Sequence, residues 1–351
     1  MYKRNISIPK PSKKLESEKI LPTLFLKPYT KIELAEDDRN YVYLINPEHN
    51  YSQSLHLLIE LRAILAIEPI EIPAETLSTL LKSQVPVVIF DIYGNCVGRI
   101  EPNYKNNSNL IEAQTLAVEP KKVAIMQNFC WGTFRRNRRF LMRNRREGIE
   151  NEILDKATSE LNYLCDGIFK MNSIESLNGL MGKAYYLYYP ALFTCLRYSG
   201  WGFTSRSDNS PVNRMLNFVY KLLEQSCKTA IAGVGLNPYQ GIWHQSYREQ
   251  LGLVSDLANE FKCYGDAIVV RCINRQYITL KDFDGYWDSD RLPPKVVQIL
   301  IKDYEKKMTE KFTYPHVNLN CTYQEAIFVQ AKQIALFFLE EIDEYYAIDL
   351  R

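Results

Sequence analysis

The sequence predicts an α+β protein: an N-terminal β-sandwich-like domain followed by a larger all-α domain. Three observations predict it. Between about residues 22 and 115 the chain alternates short β-branched or aromatic runs with turn residues, the texture of strands. Beyond about 116 long amphipathic segments take over. The 351 residues also exceed one ordinary core, at roughly 100–200 residues per domain. The expected units are a basic arm over 1–20, a β-rich domain over 21–115 and a helical domain over 116–351. Hydrophobic residues make up 46% and charged residues 24%, a balance that excludes disorder for the bulk of the chain. With 15 Gly and 16 Pro it is neither collagen-like nor of low complexity. The net charge is only +2, so a polyanionic partner must be sought in local clustering rather than bulk charge.

Taken in order, residues 1–20 are Lys-rich and non-periodic and read as a mobile arm. YVYLI (41–45), AIEPIEI (66–72) and VPVVIFDIYG (85–94) read as strands. YGNC makes a hairpin turn, with VGRIEP as the returning strand. Val87, Ile89 and Phe90 lie in a nearly continuous apolar run, as in a strand buried on both faces. Two helices are expected among the strands, SLHLLIELRAIL (54–65) and AETLSTLLKSQ (74–84). The second carries Leu77, Leu80 and Leu81 at helical spacing and Glu75 in its first turn. Long helices are then expected over 119–148, 150–166, 173–199, 210–232, 252–274, 293–311 and 322–346, with no further strands. Pro211 after Ser210 suits a first turn. Pro293–Pro294 opens another helix, and Thr322 precedes Glu325 at capping-box spacing. No repeat of 20–50 residues is present.

Eight cysteines form no CxxC pair and have no His at a zinc spacing. With no secretory leader in these residues, they point to the reducing cytoplasm. No apolar stretch approaches the ~18 residues that span a bilayer. P-loop, dinucleotide and Ser-His-Asp signatures are missing. Four features remain. RRNRRFLMRNRR (135–146) holds seven Arg in twelve positions with no acid until Glu147. Its Arg135, Arg138, Arg139, Arg143, Arg145 and Arg146 are candidates for phosphate contacts, since Arg offers a charged bidentate fork; the plainer reading is a solvated helix face. GVGLNPYQGIWHQ (233–245) is a Gly/Pro/Asn-rich connection that presents His244. LVSDLANEF (253–261) places Asp256, Asn259 and Glu260 at i, i+3 and i+4, a spacing that can offer oxygen ligands to Mg²⁺ or Mn²⁺. SLNGLMGKAYYLYYPAL (176–192) has Gly179 and Gly182 around Met181 and then four Tyr, which at helical spacing more often form core.

In order and spacing these segments resemble the integrase-nuclease subunit of the CRISPR spacer-acquisition complex. ESLNGLMGKAYYLYYPAL looks like that family's "eLlGiEGxaAxxYf", and SDNSPVNRMLNFVYKLL like "DPvNalLnfgYtlL". GLNPYQGIWH looks like "GLdPyxGflH", and LGLVSDLANEF like "sLalDLmEeF". The likeness runs from about 60 to 310. It implies a β-sandwich joined to an α-helical catalytic domain, and a homodimer through the β domains. It also implies a small ferredoxin-like partner subunit and double-stranded DNA as the substrate. The implied chemistry is metal-dependent cleavage and strand transfer, with Mg²⁺ or Mn²⁺ held by a Glu, a His and an acid of the DxxE/D helix.

At that centre the sequence departs from the family. His244 and Asp256 fall on a family histidine and acid, and are the expected catalytic and metal-binding residues. The family Glu falls on Met181, and the second acid on Asn259. Met sulfur is a soft, uncharged ligand and an amide oxygen a weak one. Glu260, one residue off register, is the remaining candidate ligand. Two readings stay open: an active or weakly active metal-dependent integrase and endonuclease, or a catalytically inactive structural or regulatory relative that binds DNA or partner proteins.

Overall fold

A computed structural model of the chain describes residues 23–46, 52–104, 107–145, 151–244, 251–314 and 319–348. Strands come first: β1 (Thr23–Leu26), β2 (Thr30–Leu34), β3 (Tyr41–Asn46), β4 (Ser52–Leu57), β5 (Ala63–Ile67) and β6 (Ile70–Glu71). Helix α1 (Ala74–Lys82) then precedes β7 (Val87–Phe90) and β8 (Cys96–Ile100). They build two four-stranded sheets, ordered β1-β5-β7-β8 and β4-β3-β2-β6. The first is parallel except for the β7–β8 hairpin, and the second is antiparallel except for β6. The side-chain period of two explains how the sheets are used. From the first sheet Ile64, Ala66 and Val87 point to a core shared with Ile32 and Val42 of the second. The alternate residues Ala63, Leu65, Ile67, Val88 and Phe90 join the helical core. Phe90 meets Phe218 edge-on, ring centroids 6.2 Å apart. The run read as a strand buried on both faces is therefore β7, with Val87, Val88 and Phe90 buried and Ile89 half-buried.

The helix expected over 54–65 is not formed. Those residues complete β4, make a single 3₁₀ turn at Leu58–Glu60 and form β5. β5 is buried at every position, because parallel neighbours β1 and β7 flank it and cores cover both faces. A five-residue apolar run fits either period, and here the sheet decides.

Helices follow: α2 (Ser108–Thr115), α3 (Glu119–Asn144), α4 (Glu152–Gly167), α5 (Ile174–Thr194), α6 (Pro211–Val234), α7 (Gly252–Asn274) and α8 (Pro294–Thr309). Ser210 caps α6 with Pro211 in its first turn, and Gly235 closes it at φ 90. The expectation of helices alone beyond 116 fails once. Lys311–Tyr314 (β9) and Leu319–Thr322 (β10) pair as antiparallel strands before α9 (Tyr323–Phe338). Thr322 and Glu325 form the expected capping box. The helix expected to reach 346 stops at Phe338, and the chain continues to Ile348 without regular structure. α7 is the central helix, with 18 of its 23 residues buried.

Candidate functional site

Between α6 and α7 the chain forms a tight connection from Leu236 to His244. Gln114 on α2, 1% exposed, fixes its start: Nε2 donates to the Asn237 and Gln240 carbonyls at 3.0 and 2.9 Å. The Asn237 N–H donates back to Gln114 Oε1 at 2.8 Å. Its end wraps Asp256, which is 0% exposed. Asp256 Oδ2 accepts from the N–H groups of Ile242 at 2.5 Å and Trp243 at 3.0 Å. Oδ1 accepts from the His244 N–H at 3.0 Å and faces His244 Nδ1 at 2.5 Å. A carboxylate acceptor there calls for the proton on Nδ1, which leaves Nε2 as the outward nitrogen. The approach needs glycine. A Cβ on Gly241 would lie 2.1 Å from the His244 carbonyl, and one on Gly252 2.5 Å from it. Trp243 stacks obliquely on His244, centroids 4.5 Å apart, and donates Nε1–H to Asn178 of α5 at 2.8 Å.

His244 and Asp256, paired in the sequence reading, are thus brought together. Glu260 is not brought to them. Successive α7 residues turn by about 100°, so Asn259 and Glu260 diverge to either side of Asp256. Asn259 leans to α5, where its Oδ1 accepts from the Tyr185 hydroxyl at 3.2 Å. Met181 of α5 is wholly buried. Glu260 points the other way, and as a ligand candidate it is corrected. Its Oε1 accepts from Gln330 Nε2 at 2.8 Å and the Ile348 N–H at 2.7 Å, and its Oε2 from the Tyr345 hydroxyl at 2.6 Å. Burial raises its pKa, against the opposing pull of Arg136 and these donors.

A divalent ion does not fit this donor set. Both Asp256 oxygens are taken by N–H donors, Glu260 is committed elsewhere, and Met181 and Asn259 supply no anionic oxygen. Among the described residues no group of three or more His, Cys, Asp or Glu could hold a metal ion.

A further buried carboxylate escaped the sequence reading. Asp266, three turns along α7 from Asp256 and 1% exposed, accepts from the Tyr188 hydroxyl at 2.8 Å and from that of Tyr220. The Arg206 guanidinium lies over the Tyr189 and Tyr220 rings, 5.4 and 5.3 Å from their centroids. Burial pushes Asp266 up to about 6, although both hydroxyls, Arg206 and Lys262 oppose the rise. Three of the four tyrosines after Met181 are therefore packed with hydroxyl partners, as a core reading expects, while Tyr186 is 81% exposed. An acid between Gly265 and Ala267 was the available signal.

Residues 135–144 of the Arg-rich run form the last turns of α3, and its arginines differ. Arg136, not among the candidates, is 4% exposed and donates to the Ile348 carbonyl. Arg135 lies 4.6 Å over the Trp131 ring. Arg138 and Arg139 are half-buried, while Arg143 and Arg145 are exposed. Arg145 pairs with Asp155 of α4 at 3.0 Å. Arg138 and Arg145 line a cavity of about 300 Å³ between α3 and α4 with Thr158, Ser159 and Asn162. Arg146 and the arm over 1–20 lie outside the described residues.

Two β-sheets leading into a helical body, with a His–Asp pair held between α6 and α7, define an α+β protein with a buried carboxylate at the loop before its central helix. Residues 38–306 match the family model for CRISPR associated protein Cas1. The chain belongs to the Cas1 family. It is 30% identical over 234 residues to the CRISPR-associated endonuclease Cas1 3 of Thermus thermophilus, covering 66% of this chain and 68% of that one. Its fold is similar to that of a casposase bound to an integration product, with a TM-score of 0.73, 19% identity and 93% of each chain covered. It is similar also to a chain of a Cas6-RT-Cas1–Cas2 complex, TM-score 0.73 and 19% identity, over 95% of this chain and 37% of that one.

Proposed function

We propose that this chain is a DNA-binding Cas1-family subunit of CRISPR adaptation that lacks metal-dependent strand transfer of its own. One observation carries the reading: Asp256 spends both carboxylate oxygens on the backbone and ring N–H groups of residues 242–244. The carboxylate thereby organises a loop, and the Met181 and Asn259 positions add no charge with which an ion could compete for it. What the chain retains is a scaffold and a basic surface. Arg139 and Arg143 on α3, and Arg145 directly after it, face outward to different degrees, and their bidentate forks suit duplex phosphates without reading sequence. A small ferredoxin-like partner subunit and a homodimer complete the proposed assembly; the Cas1–Cas2 complex of similar fold supports the first. No helix among the described residues is long and apolar enough to cross a membrane, and work on CRISPR DNA belongs in the cytoplasm.

The test is a half-site integration assay on a CRISPR repeat duplex, with and without the partner subunit, in Mn²⁺ and in EDTA. The expected result is salt-sensitive duplex binding with no strand-transfer product. EDTA-sensitive product that disappears on His244→Ala would overturn the proposal.

A further inference from the structure

Beyond Phe338 the chain turns, with Glu340 at φ 57, and runs on irregularly to Ile348. Irregular segments normally lie at the surface, because their backbone polar groups need water. This one is buried: Tyr345, Ala347 and Ile348 are 2%, 1% and 0% exposed. Side chains of three helices satisfy its backbone. Ile348 donates its N–H to Glu260 of α7 at 2.7 Å, and its carbonyl accepts from Arg136 of α3. Gln330 of α9 donates to the Tyr346 carbonyl at 3.2 Å, and the Tyr346 N–H donates to Gln333 at 3.4 Å. The Tyr345 ring meets Phe129 of α3 edge-on at 5.3 Å, while its hydroxyl donates to Glu260. The receiving groups are themselves buried: Arg136 4%, Glu260 1%, Gln330 0% and Gln333 3% exposed. Were the segment withdrawn, a carboxylate and a guanidinium in an apolar core would lose partners that only this segment supplies.

The fit is closest at Gly132. A Cβ there would lie 2.6 Å from the Ala347 Cβ and 2.7 Å from Arg136 Nη1. Glycine inside a helix costs stability relative to alanine, and Gly132 gives that up where the segment passes.

We infer that α3, α7 and α9 form a peptide-binding groove whose ligand is the chain's own Tyr345–Ile348 segment. Arg136, Glu260, Gln330 and Gln333 read its backbone, and Gly132 admits only a small side chain at 347. The two ends of Ile348 join Arg136 to Glu260, so the docked segment fastens the Arg-rich helix to the helix that carries Asp256. Between α9 and the segment, Glu340, Glu341, Asp343 and Glu344 are exposed, and Glu340 is tied to Lys121 of α3 at 2.6 Å. The inference is independent of what the chain does with DNA.

A double-mutant cycle in the full chain tests it: Gly132→Ala, Ala347→Gly and both, followed by thermal unfolding and amide exchange. At an unobstructed helix position Gly→Ala raises stability. Here Gly132→Ala should lower the Tm and speed exchange of the Ile348 amide at least tenfold. Adding Ala347→Gly should recover part of both losses. A Gly132→Ala chain as stable as the parent, with Ile348 exchange unchanged, would overturn the inference. Tyr345→Phe carries the same test with every helix untouched. Losing one hydroxyl donor to Glu260 should speed Ile348 exchange several-fold, and unchanged exchange would count equally against the groove.

Discussion

Asp256 and Asp266 lie on the same helix, both buried, and meet different partners. Asp256 is surrounded by N–H groups of its loop, whereas Asp266 is met by two phenols within the core. A folded-state value of about 6 for Asp266 lies above the ordinary carboxylate value of 3.8. Its contribution to stability is therefore fully present below pH 4 and is lost as the pH rises towards 6 and beyond, on the order of 3 kcal/mol in all. Asp266→Asn should flatten that part of the stability curve, gaining on the parent chain between pH 4 and 7. Urea unfolding across that range measures it, and parallel curves for the two chains would contradict the assignment. A second expectation concerns Met181 and Asn259. Millimolar Mn²⁺ should leave the Tm of the parent chain unmoved. Met181→Glu alone should lower the Tm, because it places a carboxylate in a wholly buried position. Together with Asn259→Asp, Mn²⁺ should recover part of that loss by binding only the folded chain. A Tm shift by Mn²⁺ in the parent chain would mean a ligand set other than the one derived above.

At the scale of elements, α3 divides its arginines between core and surface. Arg136 is spent on the docked segment, Arg145 is paired with Asp155, and Arg143 is exposed. If the outer arginines contact duplex phosphates, Arg139→Glu with Arg143→Glu should weaken binding alike for unrelated sequences. Single alanine replacements should shrink the slope of log affinity against log salt by up to ~0.9 per lost contact. Fluorescence anisotropy from low to moderate salt reads both, and an unchanged slope would return this face to solvent. At the start of α9, the Thr322–Glu325 box satisfies N–H groups of the helix and its cap. Thr322→Ala should cost about 1 kcal/mol in chemical unfolding.

For the whole molecule, the first sheet is covered on both faces, by the second sheet and by the helical core. We propose that self-association uses the remaining surface of the β-rich region, as the homodimer implied by the sequence resemblance requires. Sedimentation velocity should detect a dimer; a concentration-independent species near 41.0 kDa would exclude it.

The sequence by itself determined the α+β class, the helices from α3 to α8 and the caps of α6 and α9, and it singled out His244 and Asp256 as candidates. These depend on local period, capping chemistry and motif order, which the chain carries within a few turns. Tertiary structure decided the rest. Residues 54–65 became β4 and β5 because β3, β1 and β7 offered ladders that no local spacing records. Glu260 stands four residues from Asp256, yet its partners lie at 330, 345 and 348. Which neighbour fills the far side of a helix is a matter of packing between distant segments. Arg136 looks like its six companions in sequence, and only the buried carbonyl of Ile348 sets it apart. That Met181 and Asn259 offer no anionic oxygen was legible in the sequence. That Asp256 turns both oxygens to its own loop was not, because backbone N–H groups leave no mark in a sequence of side chains.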